Sequence, residues 1–457
     1  MMTSDGSGLP DKLARGIRLP TVWQEREPEQ SRDTLLKWQE LMRGLFPRVH
    51  ATLQVETPDA WRMIYRWGPA PTPGGPSPVL LMAHYDVVPA PADGWTHPPF
   101  SGDIADGYVW GRGALDNKLS HLAILEAVET LIAEDYTPER PIVLAFGGDE
   151  EIGGRRGAAR IAQDFRERGL RFAVTLDEGG IIARGMLAGV DTPVALLGCG
   201  EKGHINIRLS VAASGGHASN PPPRDIGESL SRALQACLRR REPLRRSRTV
   251  GAFIRSLGAL MGGAKGALLR AYPASAAIVH RVLAATPETD SMLRTTHALT
   301  MLDGSPAANV LPRRLEATVN MRLLPGDTID AVQARLRRRL DRAGSAHHVD
   351  IGLAPGLDHN EAPPESPSSG PAWEAIAGTI RAVWPQTPVL PYLVTATTDS
   401  RHYAAISDAV YRFLPFTIDR HDLSGIHGVD ERVSLENIDG ALRFYRRLCV
   451  GLGGTDW

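Results

Sequence analysis

Cysteine is scarce in this sequence. The 457 residues include only three, Cys199, Cys237 and Cys449, far apart and without CxxC spacing. That excludes a disulfide framework and a cysteine-built zinc knuckle, and it fits a reducing compartment. Long apolar runs are missing too, since none approaches the roughly 18 residues of a membrane span. The first stretch, "MMTSDGSGLPDKLARGIRLP", lacks the apolar centre of a signal peptide. These absences lead to the expectation of a soluble, cytoplasmic protein. Nor does one sign of charge prevail: 51 Lys and Arg stand against 52 Asp and Glu, a formal net charge of −1. Such a chain has no field for gathering nucleic acid or binding a membrane surface. Its one basic run, "RRREPLRRSR" at 239–248, has no interleaved aromatics and reads as a solvated helix end.

What is present is an ordinary globular balance, 42% apolar and 23% charged, over a length that suggests two domains. The apolar runs "VLLMAHYDVV", "PIVLAF" and "FAVTLDEGG" read as buried strands. Helical patterns at 30–45 and 118–133 alternate with them, the second carrying Leu125, Val128 and Ile132 on one stripe. This rhythm predicts an α/β domain with a helix-covered, mostly parallel sheet. From about residue 199 the texture changes. "HINIRLSVAAS" and "RLEATVNMRLL" alternate as half-exposed strands do, helices are expected near 225–240 and from Ile329, and "HHVDIGLA" reads as a further strand. Segment 355–371 is a linker by composition, after which helix 372–384 resumes the first texture. The expected organisation is a catalytic domain in two parts, 1–198 and 355–457, with an α+β domain, 199–354, inserted between them.

The stretch "GGDEEIGG" at 147–154 raises the chemical question, because adjacent carboxylates repel unless positive charge sits among them. It follows an apolar strand, and the carboxyl ends of strands in an open α/β sheet converge on one crevice. Other metal-capable residues occupy similar addresses: His84 and Asp86 in "LLMAHYDVV", Asp116 in "GRGALDNK", Asp177 in "TLDEGG" and His427 in "SGIHGVDE". Each alone has an ordinary reading, as a core histidine, a helix or turn cap, a surface loop residue or an acidic helix start. Together, two histidines and several acids make the donor set for two divalent ions. Zinc suits nitrogen and oxygen donors, and cobalt or manganese could also be held. Two ions about 3.5–4 Å apart need a bridging carboxylate. Asp86, two residues beyond His84, faces the same way on a strand and can orient the imidazole. Of Glu150 and Glu151, one would bind metal while the other accepts a proton from water.

In this order, "HYD", "GRGALDNK", "GGDEEIGG", "LDEGG", "GGHAS" and "HGVDE" resemble the di-zinc metallopeptidase family. That family includes aminoacylase, carboxypeptidase G, succinyl-diaminopimelate desuccinylase and carboxypeptidase S. "GRGALDNK" and "EKGH" look nearest the carboxypeptidase S and N-acyl-amino-acid hydrolase branch. The resemblance implies a phosphorylase/hydrolase-like catalytic domain and a ferredoxin-like lid that can also form a homodimer. It implies that His84 and Asp177 hold one zinc, Glu151 and His427 the other, and that Asp116 bridges them. Glu150 would be the general base for attack by water held between the metals, with Asp86 behind His84. His217, in "SGGHAS", would stabilise the oxyanion, reaching a neighbouring subunit's site in dimeric members. Asn309 and Arg322 would hold the substrate, the arginine fork suiting an α-carboxylate. Loop 395–403, "TATTDSRHY", matches a stretch that contacts the same carboxylate, although Ala396 and Ser400 replace the usual glycines. The implied reaction is hydrolysis of an amide next to a free carboxylate, in an N-acyl amino acid or a short peptide. A dipeptidase or tripeptidase, and a homologue that binds metal without catalysis, are the alternatives. Segment 240–292 is longer than the simplest lids need and is expected to reshape the dimer edge or abolish dimerisation.

Overall fold

The computed structural model describes residues 8–24, 28–72, 74–223, 225–305, 307–344, 349–455 and 457. His347 and His348 of the expected strand "HHVDIGLA" lie outside the described residues. Among these residues the larger sheet has ten strands. Its middle is parallel: Ile142–Gly147 pairs with Val79–His84, Val79–His84 with Val174–Asp177, and that strand with Val410–Arg412. The strand Val79–His84 is buried throughout because both its faces are covered. Val79, Leu81 and Ala83 join one core, with helices Lys118–Ala133, Pro371–Val383 and Leu435–Gly453. Leu80 and Met82 join another, with helix Ala158–Glu167 and the short helix Asp399–Ile406. An apolar strand covered on both sides can show a charged group only at its end, so His84, the last strand residue, emerges at the sheet's carboxyl edge. No helix among the described residues is long and apolar enough to cross a membrane.

The second sheet is antiparallel, ordered Thr296–Asp303, Arg314–Leu323, Gly203–Ala212, Asp350–Leu353. The alternation seen in the sequence is its packing pattern. Ile205, Ile207, Leu209 and Val211 face inward with Ala317, Val319, Met321 and Leu323. Helices Ile226–Leu238 and Ile329–Arg342 cover that face through Leu230, Ala233, Val332, Leu336 and Leu340. This four-stranded, two-helix unit is the inserted α+β body.

Its boundaries differ from the sequence expectation in two places. Strand Val194–Glu201 still pairs in the large sheet, with Val389–Val394, so the handover falls at Lys202 rather than after 198. The helices from Arg248 to Ser291 do not belong to the inserted sheet either. Val250, Phe253, Ile254 and Leu257 form a stripe that packs on Val194, Leu196, Leu390 and Leu393 of the large sheet. The chain therefore leaves the inserted body after Leu238, returns at Thr296, and leaves again after Leu353.

Candidate active site

His84 closes its strand with the ring nearly buried, at 2% exposure. Its Nδ1 lies 3.1 Å from the Asp86 carbonyl and 3.4 Å from the Asp86 carboxylate. That contact turns Nε2 outward, 2.9 Å from Asp116 Oδ1 and 3.4 Å from Glu178 Oε1. Asp116 stands at the end of a glycine-rich turn. Gly113 there has φ +90, and a Cβ would lie 2.8 Å from Val87 Cγ1. The other Asp116 oxygen is 3.2 Å from His427 Nε2, which is itself 3.2 Å from Glu151 Oε2. His427 has φ 59, a left-handed conformation uncommon outside glycine. The result is two three-donor groups, His84–Asp116–Glu178 and Asp116–Glu151–His427, sharing Asp116. The peptide bond after Asp116 is cis.

The acidic stretch resolves into separate tasks. Asp149 accepts hydrogen bonds from the N–H groups of Arg156 and Gly157, so it braces the turn. The Asp86 carboxylate accepts from the N–H groups of Glu150 (3.1 Å) and Glu151 (3.0 Å). Asp86 thus holds both the first histidine and the paired glutamates. Glu151 reaches into the second donor group. The Glu150 carboxylate accepts no hydrogen bond from any described residue, which leaves it free for solvent or substrate.

Asp177 is in neither donor group. Its Oδ2 accepts from Ser400 N–H at 2.7 Å. The physical reason is strand parity. Asp177 faces the same side as Thr175, whose hydroxyl meets Ser407, so both turn toward the segment that begins at Asp399. Glu178, one residue past the strand, supplies the donor expected from Asp177. The Thr175–Ser407 contact that fixes this parity joins positions far apart in the chain, so the sequence alone does not separate the two acids.

Arg322 lies at the junction of the two bodies, and its Nη1 donates to Thr397 Oγ1 at 3.0 Å. In the same loop Arg401 donates to the Gly153 carbonyl at 2.8 Å, tying loop 395–403 to the glutamate turn. His217 and Asn309 are neighbours at a small two-stranded antiparallel sheet formed by distant segments, where Gly216–His217 pairs with Val310–Leu311 and Ala218 N–H donates to the Asn309 carbonyl. His217 is exposed, with Nδ1 2.7 Å from Ser219 Oγ, and touches neither donor group.

The electrostatics of the cleft fit cations. Four carboxylates, Asp116, Glu150, Glu151 and Glu178, crowd two imidazoles, and among the described residues no lysine or arginine forms an ion pair with them. Burial, with neighbouring Asp116 and Asp177 adding to it, pushes Glu178 up to about 8. Burial raises Glu150 and Glu151 as well. Burial opposes the charged form of His84, yet Glu178, Asp116 and Asp86 hold its pKa well above the ordinary histidine value. Hydrogen bonds to Asp116 and Glu151 lift His427 to about 10. Glu151 Oε1 is buried without a hydrogen-bond partner. Stacked acids and an orphaned oxygen are what a site for divalent ions requires.

A helix-covered sheet with paired histidine–carboxylate groups at its carboxyl edge offers donors for divalent ions. The sequence model of peptidase family M20/M25/M40 matches residues 80–450, and the chain belongs to that family. An N-fatty-acyl-amino acid synthase/hydrolase of Mus musculus is 34% identical over 442 residues, covering 95% of this chain and 86% of the relative. A probable carboxypeptidase S-like protein of Dictyostelium discoideum is 34% identical over 445 residues, covering 96% and 84%. The fold is shared with an M20 family metallo-carboxypeptidase from Sulfolobus solfataricus, at TM-score 0.71 and 16% identity, covering 98% of this chain and 99% of that one.

Proposed function

We propose that the protein hydrolyses an amide bond next to a free carboxylate, in an N-acyl amino acid or a short peptide. The observation that carries this reading is Asp116, whose two oxygens face His84 at 2.9 Å and His427 at 3.2 Å and so join two donor groups. His84 and Glu178 would hold one divalent ion, Glu151 and His427 the other, with Asp116 common to both. Zinc is the first choice, and cobalt or manganese satisfy the same donors. When bound, such a pair acidifies water and polarises a carbonyl.

The chain's own residues supply the rest. Glu150, its carboxylate free of other hydrogen bonds, takes a proton from the attacking water and delivers it to the leaving nitrogen. Asp86 fixes both His84 and the backbone from which Glu150 projects. Arg322, beside Thr397, would pair with the substrate carboxylate, and bidentate pairing would set the distance from that group to the scissile bond. Asn309 would assist from beside the two-stranded sheet it shares with His217. His217 enters this mechanism as an oxyanion donor brought by a second copy of the chain, and a monomeric active species would remove it. The relatives named for N-fatty-acyl amino acids and for carboxypeptidase S support the substrate class, since both ligand types place an amide beside a carboxylate. Three buried, unpaired cysteines support a reducing, cytoplasmic setting.

The deciding experiment is a panel of N-acyl amino acids and dipeptides offered to protein reconstituted with Zn2+, Co2+ or Mn2+. Turnover is expected for acylated substrates with a free carboxylate and not for their methyl esters or amides. Glu150→Gln should bind metal as wild type does and lose about 100- to 10,000-fold in kcat. Retained turnover in that variant would discard the proton-carrying role. Metal-loaded protein inert toward the whole panel would favour the non-catalytic alternative.

A further inference from the structure

The turn that ends in Asp116 is folded around a carboxylate from another part of the chain. Glu431 Oε1 accepts from the backbone N–H of Gly113 (3.1 Å), Leu115 (2.8 Å) and Asp116 (3.2 Å). Its second oxygen accepts from Arg112 Nη1 at 2.5 Å, while Arg112 Nη2 donates to the Gly428 carbonyl at 2.8 Å. Both side chains are buried, Glu431 at 0% exposure and Arg112 at 2%. Backbone pairing continues the seam: Gly111 N–H donates to the Glu431 carbonyl, and Arg432 pairs with Trp110.

Three N–H groups converging on one anion form a nest, and charge-assisted bonds of this kind are stronger and shorter than neutral ones. What matters is the two loops they join. One carries Asp116. The other carries His427, immediately before Gly428 and close before Glu431. The Arg112 fork holds both at once, with one nitrogen on the carboxylate that shapes the Asp116 turn and the other on the carbonyl beside His427. His84 and Glu178 depend on neither loop, because they sit at the ends of adjacent parallel strands in the large sheet.

We propose that Glu431 and Arg112 are positioning residues that hold Asp116 and His427 in register, so that the outer donor group of Asp116, Glu151 and His427 binds an ion at all. This inference rests on the two-metal reading of the cleft. It goes beyond that reading by assigning the outer ion's affinity to a buried pair that touches neither metal nor substrate.

The test is calorimetric titration of the metal-free full chain with Zn2+ and with Co2+, alongside thermal melting of the metal-free protein. Wild type is expected to take up two equivalents. E431Q keeps the acceptor oxygen and the volume but loses the charge. R112K keeps a cation beside Glu431 but cannot reach both partners. In each variant the second equivalent should weaken about 10- to 100-fold, the usual effect of removing an outer support of a metal ligand, and the first should weaken less, because it keeps His84 and Glu178 and loses only the placement of the shared Asp116. The visible absorption of the second Co2+ should change in parallel. Wild-type affinity for both equivalents in both variants would overturn the proposal, and so would equal weakening of the two. If E431Q does not fold, R112K decides. If neither folds, the pair is a fold determinant and the proposal fails. Wild type that takes up fewer than two equivalents would instead defeat the two-metal reading itself, an outcome distinct from any variant result.

Discussion

Asp177 and Glu178 are adjacent acids with separate fates, and the difference can be measured. Glu178→Ala removes a donor that faces His84, so it should weaken metal uptake by at least the about 10- to 100-fold seen when an outer support is lost. Asp177→Asn should retain both equivalents, because that carboxylate is spent on Ser400 N–H. Equal loss in the two variants would restore Asp177 to the donor set. The same pair shows what could be read from residues alone. His84, Asp116 and His427 were legible because a charged residue at the end of an apolar strand, or in a glycine-rich turn, has few other uses. In a run of adjacent acids, parity decides, and parity depends on where the strand stops. Glu431 was not legible as a support because its partners are backbone N–H groups more than 300 positions away, and amide donors carry no sequence signature.

At the scale of elements, the helix Arg248–Met261 shows how a distant acid can dock a segment. Ser247 caps it in the ordinary way, accepting from Val250 N–H. Glu365, from the linker, then accepts from Ser247 Oγ–H (2.7 Å), Thr249 N–H (2.8 Å) and Arg248 N–H (3.2 Å). Burial works against the charge on Glu365, but these donors hold its pKa below the ordinary glutamate value. A carboxyl depressed on folding stabilises above its unfolded pKa, and that stability is lost as the pH falls through the folded value. Glu365→Ala should therefore cost about 1 kcal/mol at neutral pH, the scale of a helix cap with its dipole. The gap from wild type should close below about pH 4, in urea unfolding followed across pH. A gap that does not change with pH would mean packing, not charge. The helices themselves were visible as periodic stripes, but where they would pack was not. Periodicity reports that Val250, Phe253, Ile254 and Leu257 share a face, and says nothing about which of two sheets receives it.

At the scale of the molecule, Lys202 sits where the chain passes from the large sheet to the inserted sheet. Its ammonium, fully buried, donates to the carbonyls of Ser291 (3.0 Å) and Arg294 (3.0 Å) and to Thr296 Oγ1 (3.1 Å). One passage of the chain between the bodies is thereby fastened to another. Burial lowers the Lys202 pKa to about 7, so Lys202→Met would remove a donor that is only partly charged at neutral pH, a loss of about 1 kcal/mol. The expected result is faster hydrogen exchange and earlier proteolytic cleavage around residues 291–296, with metal uptake unchanged. Unaltered protection there would show that the junction is held by packing alone.

The return of the helical segment to the large sheet has a mechanical consequence. The polypeptide passes between the two bodies at Glu201–Gly203, between Leu238 and Arg248, between Leu293 and Thr296, and between Leu353 and Pro371. A flap on two pins swings freely about the line through them. One mounted at four points, two of them riveted together by Lys202, can only rock by the slack those mounts share. If Arg322 holds the substrate carboxylate and Glu150 carries the proton, as proposed, a shallow tilt would be all that admits the substrate, and the fold would set the span between the two residues in advance.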